Sequence, residues 1–165
     1  MKQEVFVHPT AIVEEGAQIG AGTKIWHHCH IRSTAVIGEN SNLGKNVYID
    51  DQVQIGSGVK IQNNVSVYRG VQLEDDVFVG PSVVFTNDLY PRAFLDFGEE
   101  KITSTLVRKG ASLGANSSIL CGTEIGEYAM VGLGSVVLEN VPPFELWVGN
   151  PARKSKDIDR EGKAK

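Results

Sequence analysis

The chain has 165 residues and a formal net charge of −4, and its 41% hydrophobic and 22% charged residues match one ordinary globular domain. That balance leaves no basic footprint for nucleic acid or an anionic membrane, and no apolar run reaches the length of a membrane span. Two cysteines, Cys29 and Cys121, and the lack of a charged-then-apolar leader predict a reducing, cytoplasmic setting.

From the N-terminus an apolar residue returns at every sixth position, from Val7 through Ile25, Leu43 and Ile61 to Phe85, and the phase resumes from Val107 to Val137. A helix needs a period near 3.6 and a single strand a period of two, so six predicts short parallel strands separated by corners. Four residues after each apolar position comes a smaller inward series, Ala11, Ala17, Thr23, Cys29, Ala35 and Ser41, continuing as Val47 to Val83. The position just before it is rich in Gly, Asn and Asp (Gly16, Asn40, Asn46, Gly58, Asn64, Gly70, Asp76), types that tolerate positive φ at a bend. About three hexads then close one triangular coil, and coils stack roughly 4.8 Å apart.

Residues 1–141 are thus expected to form an all-β parallel helix, interrupted by an excursion at 86–106 that carries no hexad phase. Its segment FTNDLYPRAFLDFGEE holds apolar side chains suited to packing on a neighbouring subunit. The repeats stop at Pro142-Pro143; residues 142–165 form a cap, and the charged stretch beyond Pro151 is expected as a short helix or a frayed tail.

Corners differ in what they carry. One repeats Gly20, Gly38 and Gly56 before Glu74, and Cys121 is expected to point outward. A second stacks His8, Trp26, Gly44, Gln62 and Gly80, and a third stacks Glu14, Arg32, Asp50, Tyr68 and Thr86 beside Ser33, Asp51, Arg69 and Asn87. Polar and aromatic residues where the repeat asks only for a bend point to a ligand cleft, although solvated corners with surface pairs such as Arg32 with Asp50 would look the same.

The hexads resemble the left-handed parallel β-helix of the hexapeptide-repeat acyltransferases, and the handedness comes from that resemblance. HPTAIV (8–13), KIW (24–26), KIQNNVSVY (60–68), LEDDVFVGPSVVFTN (73–87), PR (91–92), ASLGANSSILCG (111–122) and VGNPAR (148–153) resemble a narrower group that N-acetylates nucleotide-linked amino sugars. The resemblance implies acetyl-CoA as co-substrate, a homotrimer with sites between subunits, and an acceptor such as UDP-2-acetamido-3-amino-2,3-dideoxyglucuronate used for surface polysaccharide or lipopolysaccharide synthesis. The alternative acceptor is a dTDP-3-amino-3,6-dideoxyhexose, whose enzymes carry an acidic residue after the asparagine, as Asp88 does here. They are also acidic at the position of Arg69, and a basic residue there would suit a carboxylated sugar.

By this resemblance Asn87 orients the reacting groups and Asp88 positions the amine. Gln62, Asn63, Asn64, Tyr68 and Arg69 are candidates for the sugar and nucleotide, and Arg92 for a diphosphate or carboxylate. Gly114 with Ala115 and Gly132 with Leu133 would accept the pantetheine arm; Arg153 and Lys154, in the coenzyme-binding tail, would meet coenzyme phosphates. The histidines are His8, His27, His28 and His30, about 10–15 Å along the coil from Asn87, so no histidine base is expected and the leaving thiolate takes the proton. No metal is expected; a γ-carbonic-anhydrase-like metal protein, which needs histidines on separated coils, and a non-catalytic scaffold are the contrasting classes.

Overall fold

A computed structural model describes residues 4–96 and 98–165, and most of its strands are two residues long. Phe6–Val7 pairs in parallel with Lys24–Ile25, which pairs with Asn42–Leu43, then Lys60–Ile61, then Phe78–Val79, always in the register of the hexads. Three such ladders, of nine, seven and six strands among the described residues, form the sides of a prism. Face A begins at Phe6–Val7, face B at Ile12–Val13 and face C at Gln18–Ile19.

The second residue of each two-residue strand points inward, and the inward apolar series is buried from Ile25 through Ile31, Ile37, Leu43 and Ile61 to Ile125. The smaller series fills the corners: Cys29, Ala35, Val47 and Val53 are buried, as are Thr23 and Ser41. Those two hydroxyls are paid for locally. Thr23 Oγ1 donates to the Gly38 carbonyl at 2.8 Å and accepts from the Ser41 amide at 3.0 Å, while Ser41 Oγ donates to the Gly56 carbonyl at 3.2 Å. Most bends then turn on a left-handed residue: Asn40, Asn46, Asn64 and Asp76 have φ of 56°, 59°, 62° and 58°. His28, Gln52, Ser82 and Tyr128 adopt the same conformation without being types that announce it. Gly38 answers to coil stacking, since a Cβ there would lie 2.5 Å from the Gly56 carbonyl carbon.

The excursion leaves after Val84–Phe85. Gln72 on face C pairs with Leu106, 34 residues on where 18 is the ordinary step, so the coil resumes in register as if the loop were absent. Its neck is closed by the Thr103 amide donating to the Asn87 carbonyl at 2.9 Å. The strand Thr105–Val107 takes Thr105 and Leu106 out of the predicted 86–106 excursion, because their backbone is captured by face C. Within the loop Glu99–Lys101 makes one 3-10 turn; Phe97 of the segment quoted above lies outside the described residues.

At the C-terminal end the expected helix or frayed tail is a strand. Glu145–Val148 extends face A, and Arg153–Asp157 folds back antiparallel along it. The physical reason is the open edge of the last coil, whose unpaired backbone groups are satisfied by an added strand. Lys154 anchors the hairpin by bonding Glu145 at 2.7 Å and Asp157 at 2.8 Å, and Ile158 and Ala152 bury behind it. Cys121 is also corrected: it is 2% exposed, not outward, because the returning limb of the loop lies over its corner, with the Gly122 amide bonded to the Ser104 carbonyl. Among the described residues no helix is long and apolar enough to cross a membrane.

Candidate active site

The corner between faces B and C carries the ordered polar column. At its base Arg32 bonds Glu14 and Asp51, at 3.0 and 2.9 Å, and not Asp50 as expected from stacking. Asp50 is already engaged: its Oδ1 accepts from the Tyr48 hydroxyl at 2.9 Å and the Asp51 amide at 2.8 Å, and its Oδ2 accepts from the Arg69 amide at 3.2 Å. His30 Nε2 donates to Glu14 Oε1 at 2.7 Å, and its ring meets Tyr48 edge-on at 5.6 Å, with Tyr68 next in line at 6.2 Å from Tyr48. These contacts set the protonation states. The bond to His30, then Arg32, holds the Glu14 carboxyl below its usual range; Thr34, then Arg32, does so for Asp51; burial pushes the Tyr48 phenol up.

Asn87 sits one coil above Arg69. Its Nδ2 donates to the Arg69 carbonyl at 3.3 Å, and its Oδ1 has no protein partner among the described residues. Asp88 follows, half-buried, with Oδ1 accepting from the Tyr90 amide at 2.8 Å. It lines a cleft of about 320 Å³ together with Leu89, Tyr90, Leu95, Lys101 and Thr103. The Arg69 guanidinium turns to the loop and bonds Glu99 at 3.3 Å, beside a second cleft of about 340 Å³ that includes Gln52, Gln72 and Ser104. Arg92 is exposed and, among the described residues, donates only to the carbonyl of Pro91.

The other candidates lie elsewhere. Gln62, Asn63 and Asn64 stand on the corner between faces A and B, and two of them serve stacking: Asn63 Oδ1 accepts from the Lys45 amide at 2.8 Å, and Asn64 Oδ1 from Asn46 at 3.0 Å. Gly114–Ala115 and Gly132–Leu133 occupy higher levels of that same corner. Gly114 is required by packing, a Cβ there lying 2.5 Å from the Leu133 amide, whereas Leu133 itself is 82% exposed. Of the two tail cations, Lys154 is held between two carboxylates, while Arg153 makes one exposed pair with Glu139 at 2.9 Å. The structure therefore gathers Tyr68, Arg69, Asn87 and Asp88 on one edge of face B, and Gln62 to Asn64 with the glycine corner on the other.

Sequence reasoning passed over Asp50 as a functional candidate, and Glu99 and Thr103 altogether. Asp50 was visible as a member of the corner column, but nothing in the spacing tells which neighbour its carboxylate selects. Among the described residues no three His, Cys, Asp or Glu side chains are placed to hold a metal ion. His8 and His27 stack ring on ring at 3.5 Å, and His30 lies three strand steps below Val84–Phe85, about 14 Å away.

Family models for a bacterial transferase hexapeptide of six repeats match residues 34–69 and 52–87, and one for the hexapeptide repeat of succinyl-transferase matches 109–139. A dTDP-3-amino-3,6-dideoxy-alpha-D-galactopyranose 3-N-acetyltransferase from Aneurinibacillus thermoaerophilus is 59% identical over 148 residues, covering 90% of this chain and 76% of that protein. The chain belongs to the hexapeptide-repeat acyltransferases, in the group that N-acetylates nucleotide-linked amino sugars. As a member it is an acetyl-CoA-dependent sugar N-acetyltransferase, and its coil has the family's left hand. The product of the BC4754 gene of Bacillus cereus superposes with a TM-score of 0.62 at 26% identity, covering 92% of this chain and 80% of the other. The acetyltransferase domain of PglB from Neisseria gonorrhoeae, solved with acetyl coenzyme A, shares the fold at a TM-score of 0.61 and 18% identity, covering 93% and 58%.

Proposed function

We propose that this acetyltransferase transfers the acetyl group of acetyl-CoA to the 3-amino group of a dTDP-linked 3-amino-3,6-dideoxyhexose, as a homotrimer with its sites between subunits. This is the second of the two acceptors drawn from the sequence. The observation that carries it is the 59% identity to an enzyme named for such a substrate. The Arg69–Glu99 pair also weakens the one residue-level argument for the glucuronate acceptor, since it gives the guanidinium a carboxylate partner within the chain.

In the proposed mechanism a neutral sugar amine attacks the thioester carbonyl carbon, the C–N bond forms, and negative charge develops on the carbonyl oxygen. Collapse of that adduct breaks the C–S bond, and the departing thiolate takes the proton from nitrogen. Asn87 contributes orientation. With Nδ2 committed to the Arg69 carbonyl, Oδ1 is the atom left to accept a hydrogen bond from the amine, aiming the nitrogen lone pair at the carbonyl. The carboxylate of Asp88, fixed by the Tyr90 amide, attracts the amine into the cleft. Arg92 offers most of its donors to the diphosphate, and the exposed Leu133 offers apolar surface to the pantetheine arm. Arg153 is the tail cation with capacity for a coenzyme phosphate.

The trimer joins what one chain keeps apart. Candidate residues fall on opposite edges of face B, and packing three prisms around a common axis brings unlike edges of neighbours together. Face B is also the less charged side, with Ile12 and Val84 outward and 59% and 50% exposed. The deciding measurement is thiol release from acetyl-CoA with dTDP-3-amino-3,6-dideoxyhexoses and with UDP-3-amino uronates. Turnover is expected with the former at a kcat/KM at least about tenfold higher; equal or reversed preference overturns the acceptor assignment, and no release with either overturns the reading.

A further inference from the structure

We infer that Asp50 is a positioning residue for acetyl transfer, acting through the Arg69 corner on Asn87; the inference rests on the mechanism proposed above. The connection is continuous. Asp50 Oδ2 accepts the amide N–H of Arg69 at 3.2 Å, and the carbonyl of the same Arg69 accepts Nδ2 of Asn87 at 3.3 Å. The peptide carrying that carbonyl is followed by Gly70 at φ +97°, a conformation glycine adopts freely and leaves freely. The turn is closed by the Val71 amide on the Tyr68 carbonyl at 3.1 Å and tied upward by the Thr105 amide on the Gly70 carbonyl at 3.0 Å, and Asp50 supplies the side-chain anchor on the Arg69 N–H itself. Asp50 is itself fixed by the Tyr48 hydroxyl and the Asp51 amide, so the half-buried carboxylate arrives with its geometry set.

The same kind of bond recurs where no catalysis is proposed. Glu14 Oε2 accepts the amide of Ser33 at 3.0 Å, and Glu74 Oε2 accepts that of Lys109 at 2.9 Å. An acidic residue gripping the next coil's corner is therefore a staple of this fold, and Asp50 shares that duty. What sets Asp50 apart is that its corner alone, of these three, presents a carbonyl to Asn87. Loss of the staple should release the Asn87 carboxamide, let its nitrogen and oxygen exchange places, and misdirect the amine.

The test compares Asp50→Ala and Asp50→Asn with Glu14→Ala, the same staple two coils below. Asp50→Ala is expected to lower kcat by about ten- to a hundredfold while KM for acetyl-CoA stays within about twofold. Asp50→Asn keeps an acceptor oxygen and should recover most of that loss; Glu14→Ala should leave kcat within about twofold of wild type at a temperature where it is folded. Side-chain amide signals of Asn87 in a 15N-labelled protein give a readout independent of turnover: shifts displaced from those of a free carboxamide in wild type and in Glu14→Ala, and moved toward free-carboxamide values in Asp50→Ala. A folded Asp50→Ala with kcat within twofold, or with unchanged Asn87 signals, overturns the inference, as does an equal loss in Glu14→Ala. Should Asp50→Ala fail to fold, Asp50→Ser, whose hydroxyl is too short to reach the Arg69 amide, decides by the Asn87 signals: displaced signals support the inference and wild-type signals overturn it. Should wild type acetylate no amino sugar, the mechanism falls, and the amide signals still decide whether Asp50 governs Asn87.

Discussion

Asn87 spends one Nδ2 proton on the Arg69 carbonyl, which fixes the plane of its carboxamide and leaves Oδ1 and the second N–H without a partner among the described residues. Only Oδ1 can accept, and the proposed mechanism assigns that acceptor to the amine. Asn87→Ala is therefore expected to lower turnover by about a hundredfold or more, and His30→Ala to leave it within about twofold. His30 is bonded to Glu14 at 2.7 Å and lies three strand steps away, out of reach of the amine. Thiol-release kinetics check both, and an inactive but folded His30→Ala would require a histidine base. Asn87 and Asp88 stood out in the sequence as candidates because the hexad phase breaks there and FTN resembles a family motif. The direction of the Asn87 amide was not legible, since it is set by a backbone carbonyl on the coil below. Arg32 shows the same limit: the column placed it beside Asp50, yet its partners are Glu14 and Asp51 because Tyr48 and Arg69 had already claimed the Asp50 oxygens.

At the scale of the element, each coil is secured to the next by its corners as much as by its strands. Glu14, Arg32 and Asp51 span three coils on one edge, as Glu74, Arg108 and Glu124 do on another. Glu14 and Asp51 are held below the ordinary carboxylate range, so the unfolded chain takes up their protons before the folded one does. Their contribution is present above about pH 4 and is lost as pH falls through the depressed folded values. Arg32→Met removes Arg32's share of that shift, leaving those of His30 and Thr34. The fall in Tm between about pH 5 and pH 3 should become shallower than in wild type, modestly so because the groups are solvent-screened; an unchanged acid limb would exclude Arg32 as the link. Strands and bends were readable because a strict period of six has one geometric solution. The C-terminal hairpin was not, since Arg153–Asp157 carries no apolar alternation and takes its conformation from Glu145–Val148, the edge it covers.

At the scale of the molecule, the prism separates the candidate groups by its own geometry. Asn87 and Asp88 belong to the corner of faces B and C, Leu133 to the corner of faces A and B, and no bending of a closed coil can bring the two together. The excursion adds apolar surface that its own chain leaves uncovered, with Tyr90 78% and Phe94 81% exposed. A trimer resolves both features, and it makes a prediction that no monomeric site could meet. Asn87→Ala chains retain an intact glycine corner, and Leu133→Glu chains, which place a carboxylate where an apolar arm and coenzyme phosphates approach, retain an intact Asn87 edge. Each variant alone should be nearly inactive. Co-expressed, they form mixed trimers in which about one interface in four pairs an intact edge with an intact corner. Activity near a quarter of wild type is the expected result, measured by thiol release on the purified mixture and compared with the two variants mixed without subunit exchange. Failure of the mixed trimers to exceed the separate variants would place both groups in one chain's site, contrary to the proposed trimer site.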